Sequence, residues 1–292
     1  MDDKLYSRQV SFFGKEGQRK LEAASVTIIG IGGLGTHVVQ QLAHLGVGSI
    51  TLVDDEELDE SNKNRYVGSK YTDPVPGLPK VDLGGRIIRE ISPSIRVEKI
   101  FGPLVSRASF RAIIRSDNIF GCLDNEGSRL ILNEICSAYE KPYLDLGTEI
   151  FPEVPPQFGG RVFISWEGEG CIYCSGVLDI TEATHDLASP GARADFVNLY
   201  GLDQEDMSTS GPAVVSINGV VASMAVTEFI AMVTEIRSPK RHTEYRGMRG
   251  TVGVDTDPPA SDCYYCKEIR GKGDDVDIWR YLRTEKNTAE CE

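Results

Sequence analysis

Four cysteines form two pairs whose spacing is typical of a metal site. Two residues separate Cys171 from Cys174, and two residues separate Cys263 from Cys266. This spacing lets both sulfurs of a pair face one ion, and two pairs complete a tetrahedral zinc site without an open position for catalysis. A thioredoxin-like redox CxxC is the alternative, but such a motif usually occurs once and precedes a helix. The pairs therefore predict a structural Zn²⁺ ion that connects two distant segments.

A glycine-rich segment near the N-terminus has the pattern of a phosphate-binding loop. Gly30, Gly32, Gly33 and Gly35 follow an apolar, strand-like run and precede a helical pattern. Glycines let the backbone approach a phosphate, and a helix N-terminus offers free N–H groups and the positive end of its dipole. Asp54 ends the next predicted strand, where a carboxylate can accept hydrogen bonds from a ribose. The pattern indicates a nucleotide site, most commonly that of an NAD or FAD dehydrogenase.

Polar residues further along the chain favour ATP over a dinucleotide. Asn62 and Arg65 follow Asp54 closely, Lys80 precedes a helical pattern, and Asp124 follows another predicted strand. Two cations beside a phosphate loop suit a triphosphate, because its charge must be neutralised as phosphorus is attacked. A carboxylate at a strand end suits Mg²⁺, which prefers oxygen ligands. Together these residues predict a site for ATP and Mg²⁺.

The elements that must position these residues alternate along the first half of the chain. Strands are predicted over 25–29, 49–53, 95–100, 118–123 and 142–146, and helices over 34–45, 81–91, 106–116 and 126–139. Such alternation predicts an α/β fold with a Rossmann-like, doubly wound, mostly parallel sheet. Beyond Gly147 the pattern changes: residues 160–166 indicate additional antiparallel strands, and residues 214–234 indicate a buried helix.

Composition disfavours several functions and partners. The 292-residue chain has a net charge of −13, which argues against nucleic acid as a partner because phosphate contacts need a cationic surface. No apolar run approaches the roughly eighteen residues that span a bilayer, so we expect no membrane partner. The acidic segment 1–4 lacks the apolar region of a secretory signal. We therefore expect a cytoplasmic protein, in which thiols remain reduced.

Taken in order, these motifs resemble those of the E1-like activating enzymes, the ThiF/MoeB/ubiquitin-activating superfamily. The resemblance covers about residues 5–270, and besides the cysteine pairs the matching segments are Tyr6–Gln9, Gly30–Gly35, Val53–Glu56, Ser61–Arg65, Pro79–Val81 and Leu123–Asn125. It implies that ATP-Mg adenylates the C-terminal carboxylate of a small ubiquitin-like or sulfur-carrier protein and that pyrophosphate leaves. A carboxylate is already a nucleophile at neutral pH, so such an enzyme needs positioning and charge neutralisation.

The resemblance also implies roles for individual residues. The glycine loop would hold the ATP phosphates, Asp54 would bind the ribose with Glu56 in the same cofactor-binding segment, and Asn62 would position the α-phosphate. Two cations, Arg65 and Lys80, would neutralise the phosphates.

Metal binding and assembly follow from the same resemblance. Asp124 would hold Mg²⁺, and Arg8 would reach across a homodimer into the partner's ATP site. The chain is accordingly divided into an N-terminal helical, arginine-finger segment (1–24), an adenylation domain (25–270) with a crossing loop at about 175–211, and a C-terminal tail (271–292).

The acceptor of the activated carboxyl group differs from that of many relatives. Those proteins pass it to a cysteine near the crossing segment, whereas no cysteine lies between Cys174 and Cys263 here. Transfer to a downstream E2-like or sulfur-transfer protein is one possibility. Acceptor groups within the chain are the thiol of Cys291 and hydroxyls at Ser208, Thr209 and Ser210. A hydroxyl needs an adjacent base, so we favour a polar loop there.

Two alternative functions belong to other classes. The first is a non-catalytic scaffold of the same fold, against which the retention of Arg8, Arg65, Lys80 and Asp124 argues. The second is an NAD(P)-dependent oxidoreductase, for which a cluster of phosphate-neutralising cations and a magnesium ligand has no use. Within the favoured class, a short peptide could replace the folded carrier protein.

Overall fold

One eight-stranded sheet organises the part of the chain that the computed structural model describes, residues 4–152, 154–188 and 211–282. The order of the strands across the sheet is β3-β2-β1-β4-β5-β6-β7-β8. The strands are β1 Ser25–Ile29, β2 Ser49–Asp54, β3 Arg96–Phe101, β4 Asn118–Gly121, β5 Tyr143–Phe151, β6 Gln157–Ser165, β7 His242–Arg246 and β8 Thr251–Asp255. The first five run parallel, and β6, β7 and β8 add to β5 in antiparallel order. The α/β class and the mostly parallel sheet with antiparallel additions are confirmed.

Helices cover both faces of the sheet. They are α1 Ser7–Ala23, α2 Gly33–Leu45, α3 Lys80–Ile91, α4 Arg107–Arg115, α5 Glu126–Ala138, α6 Ile180–Leu187, α7 Val215–Thr234 and α8 Tyr264–Lys267. Apolar side chains of α1, α2, α3 and α7 form one core with the sheet, and those of α4 and α5 form a second core on the opposite face. Because both faces are covered, the central strands β1 and β4 are apolar and almost entirely buried, as expected for a parallel sheet.

Contrary to the expectation that no apolar run is long enough to span a bilayer, helix α7 is long and apolar enough by length and composition alone. Most of it is buried inside the protein, and Val221, Ala225 and Phe229 belong to the first core. A helix that is apolar on all sides is what a fully buried position between a sheet and other helices requires. We therefore interpret α7 as a core helix.

Three segments differ from their prediction. The strand predicted over 118–123 ends at Gly121, so the residues up to Asn125 form a loop at the carboxyl end of this central strand. Within the crossing loop predicted over 175–211, α6 forms, and residues 189–210 lie outside the described part. The sequence pattern assigned no strand to residues 237–249, which contain β7, and β7 forms a hairpin with β8.

The segment that follows α8 packs on the second core. Ile278 is completely buried, and the ring of Trp279 lies 5.7 Å from that of Phe110 on α4. Arg280 and Tyr281 both donate hydrogen bonds to the buried carboxylate of Glu134 on α5, at 2.6 and 2.7 Å. Residues 276–282 are thus held against α4 and α5.

Candidate active site

The glycine loop lies between β1 and α2, where the order of the sheet reverses. From β1 the chain leads to β2 on one side, and β4 pairs with β1 on the other. Gly30 has φ +88°, and a β-carbon there would lie 2.5 Å from the carbonyl oxygen of Cys122, in the loop after β4. Only glycine fits this close approach without strain. In open α/β sheets, ligands bind in the crevice that forms at such a reversal.

The carboxylate of Asp54 supports the glycine loop. Its Oδ2 accepts a hydrogen bond of 2.6 Å from the backbone N–H of Ile31, and its Oδ1 accepts one of 2.9 Å from Glu56. Burial raises the pKa of Asp54, although the hydrogen bond from Ile31 and the charge of Lys80 act in the opposite direction. Asp54 thus connects β2 to the loop, and each of its oxygens retains a lone pair for a ligand hydroxyl.

A cationic cluster, defined as Arg65, Tyr66 and Lys80, lies beside the loop. The ammonium group of Lys80 is 5.4 Å from the ring centroid of Tyr66, and the guanidinium carbon of Arg65 is 5.5 Å from it. A β-carbon at Gly32 would lie 3.4 Å from the Tyr66 hydroxyl, so the cluster is in contact with the glycine loop. Both cations therefore lie beside the glycine loop, on either side of the contact that Tyr66 makes with it.

Lys80 is buried at the first turn of α3 and remains charged. Its ammonium group pairs with the carboxylate of Glu56, and its backbone N–H donates to the carbonyl oxygen of Glu56 at 2.9 Å. Burial lowers the pKa of Lys80, but the neighbouring Tyr66, Glu56 and Asp54 outweigh burial and raise it above its ordinary value. Glu56, predicted among the cofactor-binding residues, thus positions this lysine.

Sequence reasoning did not single out Tyr66. The residue is 7% exposed, and burial raises the pKa of its hydroxyl. It lies between the two predicted cations and separates them. Its position directly after Arg65 was the available signal, but a tyrosine in a polar loop gives no indication that it will be buried.

The side chain of Asn62 stabilises the loop that carries Arg65. Its Oδ1 accepts a hydrogen bond of 3.0 Å from the backbone of Asp59, and the carboxylate of Asp59 accepts one of 2.8 Å from Ser61. These reciprocal bonds cap a short 3₁₀ helix at Glu60–Asn62, and Arg65 donates to the carbonyl oxygen of Ser61. The contact between Asn62 and the α-phosphate remains a prediction.

Asp124 is exposed in the loop between β4 and α5, three residues beyond the end of the strand. The next residue, Asn125, caps α5 by accepting a hydrogen bond of 2.7 Å from Ser128. On the other side, Arg129 donates to the carbonyl oxygen of Leu123 at 2.5 Å. Helix α5 therefore holds the loop from both sides, and the carboxylate of Asp124 is available to a cation.

A buried ionic network below this loop was not predicted. The carboxylate of Asp145, which is completely buried, accepts hydrogen bonds from Arg129 at 2.6 Å, from the Tyr143 hydroxyl at 2.7 Å and from Arg161. Two arginines and a hydroxyl satisfy a carboxylate that burial alone would destabilise. The network connects α5 to β5 and β6, and through Arg129 it reaches the loop before Asp124.

Arg8 lies on α1 and is exposed. Among residues 4–152, 154–188 and 211–282 it has no hydrogen-bond or ion-pair partner. Its action in the ATP site of a second protomer remains a prediction.

The four cysteines of the two pairs meet in one cluster. Their sulfurs all lie within 4.8 Å of one another, and three of the separations are 3.8 Å: Cys171–Cys263, Cys171–Cys174 and Cys174–Cys266. Tetrahedral zinc with Zn–S bonds of about 2.3 Å places sulfurs about 3.8 Å apart, so this donor set fits Zn²⁺. Asn133 on α5 lies 3.6 Å from the sulfur of Cys171.

The predicted acceptor groups within the chain are not among the residues that the structure describes. Cys291 and the hydroxyls of Ser208, Thr209 and Ser210 lie outside the described residues. Of the cysteines outside the cluster, Cys136 is 2% exposed and Cys122 is partly buried beside Gly30.

Comparisons with curated proteins agree with the motifs. The model of the ThiF family matches residues 6–272. The sulfur carrier protein ThiS adenylyltransferase of Escherichia coli is 32% identical over 58% of this chain and 65% of its own length. The SAMP-activating enzyme E1 of Haloferax volcanii is 32% identical over 45% of this chain, which spans about half (48%) of that relative. The molybdopterin-synthase adenylyltransferase of E. coli is 30% identical over 80% of this chain and 91% of its own length.

Solved structures share the fold. E. coli MccB in a structure with ATP superposes with a TM-score of 0.70 at 19% identity, over 91% of this chain and 75% of that chain. A structure of PaaA gives a TM-score of 0.65 at 18% identity, over 87% of this chain.

Proposed function

The chain belongs to the ThiF family, and on that basis we propose that it is an ATP- and Mg²⁺-dependent adenylyltransferase. Its substrate is the C-terminal carboxylate of a small ubiquitin-like or sulfur-carrier protein, called the carrier below. The observation that carries this proposal is the contact between the glycine loop and the cationic cluster at the reversal point of the sheet. The names of two relatives, the ThiS adenylyltransferase and the SAMP-activating enzyme, support a carrier of this class.

The reaction is an attack of the carrier's carboxylate on the α-phosphorus of ATP. One carboxylate oxygen bonds to phosphorus, the bond to the bridging oxygen breaks, and pyrophosphate leaves with the electron pair. The glycine loop would hold the phosphates beside the cationic cluster, with the ribose at Asp54 and Asn62 beside the α-phosphate. Arg65 and Lys80 would neutralise the charge that develops on the leaving group. Mg²⁺, when bound at Asp124, supplies further charge neutralisation on the pyrophosphate.

A homodimer would complete the site. Arg8 is a cation on the exposed surface of α1 without a described partner, which supports a role in a second protomer. Each site would then contain the Arg8 of one chain and the Lys80 of the other.

A structural Zn²⁺ ion would connect the segment before α6 to α8. All four sulfurs belong to the cluster and leave no open coordination position, so the ion would stabilise the fold and take no part in adenylation. Reduced cysteines in a zinc site suit the cytoplasm.

The adenylate would pass directly to a second protein, E2-like or sulfur-transferring, because no cysteine lies between Cys174 and Cys263. The acceptor therefore supplies the nucleophile of the next step.

ATP–pyrophosphate exchange tests the proposal. The purified chain is incubated with labelled pyrophosphate, ATP and a panel of small ubiquitin-like proteins that end in Gly-Gly. We expect exchange that requires Mg²⁺ and the free C-terminus of one carrier and that disappears in a Lys80→Ala/Asp124→Ala double variant. Carrier-independent ATP binding without any exchange would support the non-catalytic alternative, and binding of NADH in place of ATP would support the oxidoreductase.

A further inference from the structure

Two consecutive glycines at the start of α2 face two different parts of the crevice. Gly32 faces Tyr66 in the cationic cluster, as described above. Gly33 faces Asn218 on α7, whose amide nitrogen is so close that a β-carbon at Gly33 would overlap it. The N-terminus of α2 therefore lies between a charged side and an uncharged side.

Asn218 is held in one orientation. The side chain is 3% exposed, and its Oδ1 accepts a hydrogen bond of 3.2 Å from the hydroxyl of Thr148 on β5. This bond directs the amide nitrogen towards Gly33. No residue in the described ranges accepts a hydrogen bond from that nitrogen. The nitrogen is not among the fully buried polar atoms that lack a partner, so it faces the crevice, where a ligand can supply its acceptor.

The adjacent helix end favours an anionic acceptor. Helix α2 begins after Gly32, which cannot provide a side-chain cap, so the N–H groups of its first turn have no capping side chain. These groups and the helix dipole attract negative charge. The free amide of Asn218 and the N-terminus of a thirteen-residue helix thus converge on one position.

We propose that Asn218 binds the C-terminal carboxylate of the carrier and orients it towards the α-phosphorus of ATP, an inference that rests on the proposed function. The phosphates would lie on the opposite side of this helix end, beside the cationic cluster. A carboxylate that must act as a nucleophile is better held by a neutral donor, because pairing with a cation would stabilise its charge and reduce its reactivity. Thr148 is then a positioning residue that acts through Asn218.

The chemical step needs no further group. One carboxylate oxygen accepts the hydrogen bond from Asn218, and the other forms the bond to phosphorus as pyrophosphate leaves with its electron pair. No proton is transferred, so the step needs no general base.

The test compares Asn218→Asp with wild type. Aspartate keeps the shape of asparagine but replaces the donor with a negative charge that repels a carboxylate. We expect kcat/KM for the carrier in ATP–pyrophosphate exchange to fall by about 10-fold to 100-fold. The Kd for ATP should stay within about twofold, because the phosphates contact the cationic cluster. Asn218→Ala and Thr148→Val should give smaller losses of the same kind, and Ser223→Ala, on the same helix, should give none.

A binding readout separates this role from a structural one. Wild type should bind a carrier with a free carboxylate more tightly than the same carrier with a C-terminal carboxamide, and Asn218→Asp should lose that preference. Unchanged kcat/KM in Asn218→Asp, or an equal loss of ATP binding, would overturn the inference while exchange by wild type still supports the proposed function. A wild-type protein that exchanges with no carrier would instead remove the proposed function, and this inference with it.

Discussion

Arg129 on α5 donates a hydrogen bond of 2.6 Å to Asp145 on β5, and both side chains are more than nine-tenths buried. Because Arg129 also holds the carbonyl oxygen of Leu123, this ion pair determines the position of the loop that carries Asp124. A pair far from the surface therefore supports the proposed magnesium ligand.

Replacing Asp145 by Asn should destabilise the protein strongly. The substitution leaves buried Arg129 with Glu126, at 3.2 Å, as its remaining counter-charge, and breaking a buried pair costs about 3–5 kcal/mol of the free energy of unfolding. Urea denaturation measures the change. Glu98→Gln is the matched control, since Glu98 pairs with Arg115 at 2.8 Å on the exposed surface and should contribute roughly 0–1 kcal/mol. Equal losses in the free energy of unfolding from the two substitutions would contradict the assignment of Asp145 and Arg129 as a buried ion pair.

The same carboxylate should make stability depend on pH in the acid range. Burial raises the pKa of Asp145, but the charges of Arg129 and Arg161 outweigh burial and lower it below the ordinary value of 3.8. A carboxyl group with a lowered pKa in the folded state contributes stability above its unfolded pKa, and this is lost as pH falls through the folded pKa. The free energy of unfolding should therefore fall more steeply below about pH 4 in wild type than in Asp145→Asn. Parallel curves of the free energy of unfolding against pH for the two proteins would contradict the lowered pKa of Asp145.

Much of this architecture follows from local sequence patterns. The parallel strands, their helices and the position of Asp54 at the end of β2 were predicted, because apolar periodicity and glycine placement are local signals. Strands β7 and β8 were not, because each has only five residues and the charged sequence of His242–Arg246 has no apolar alternation.

The unpredicted parts of the candidate site depend on tertiary contacts. Asp145 lies 16 residues after Arg129 and 16 residues before Arg161. The three side chains meet only after α5, β5 and β6 have packed together. Asn218 lies 70 residues from Thr148. No periodicity encodes such pairs, so their side chains had no signal in a single sequence.

Removing the charge of Lys80 should abolish activity with little loss of stability. Lys80→Ala should lower the carrier-dependent exchange rate by about 100-fold or more, because a charge-neutralising donor beside the phosphates is lost. Since the pKa of Lys80 is raised, the wild-type rate should not decline between about pH 7 and 9 through loss of this charge. Lys70→Ala is the control, because Lys70 pairs with Glu90 on the surface at 3.0 Å. Activity retained in Lys80→Ala would contradict the proposed role of Lys80 in neutralising the phosphates.

The cysteine cluster should contain one zinc ion per chain. Elemental analysis of the purified protein should find this stoichiometry, and Cys266→Ala should lose the metal and unfold at a lower temperature, because structural zinc contributes directly to folding. Cys136→Ala is the matched control, a buried cysteine outside the cluster that should keep the zinc. A metal-free, fully stable wild type would contradict the zinc site.

Mixing two inactive variants should restore activity if Arg8 acts across a dimer. Arg8→Ala and Lys80→Ala subunits that exchange at equal concentrations form mixed dimers in half of the cases, and one of the two sites in each is intact. The mixture should therefore reach about a quarter of the wild-type exchange rate. An inactive mixture that demonstrably contains mixed dimers would place Arg8 outside the partner's site.

Trapping the activated carrier with hydroxylamine tests carboxyl adenylation most directly. Hydroxylamine attacks an acyl-adenylate and leaves a hydroxamate at the carrier's C-terminus, which intact-mass measurement detects, while AMP and pyrophosphate accumulate. We expect the hydroxamate to require ATP, Mg²⁺ and a free C-terminal carboxylate. An unmodified carrier together with ADP and phosphate would show that ATP reacts at its γ-phosphorus, and would contradict adenylation by this site.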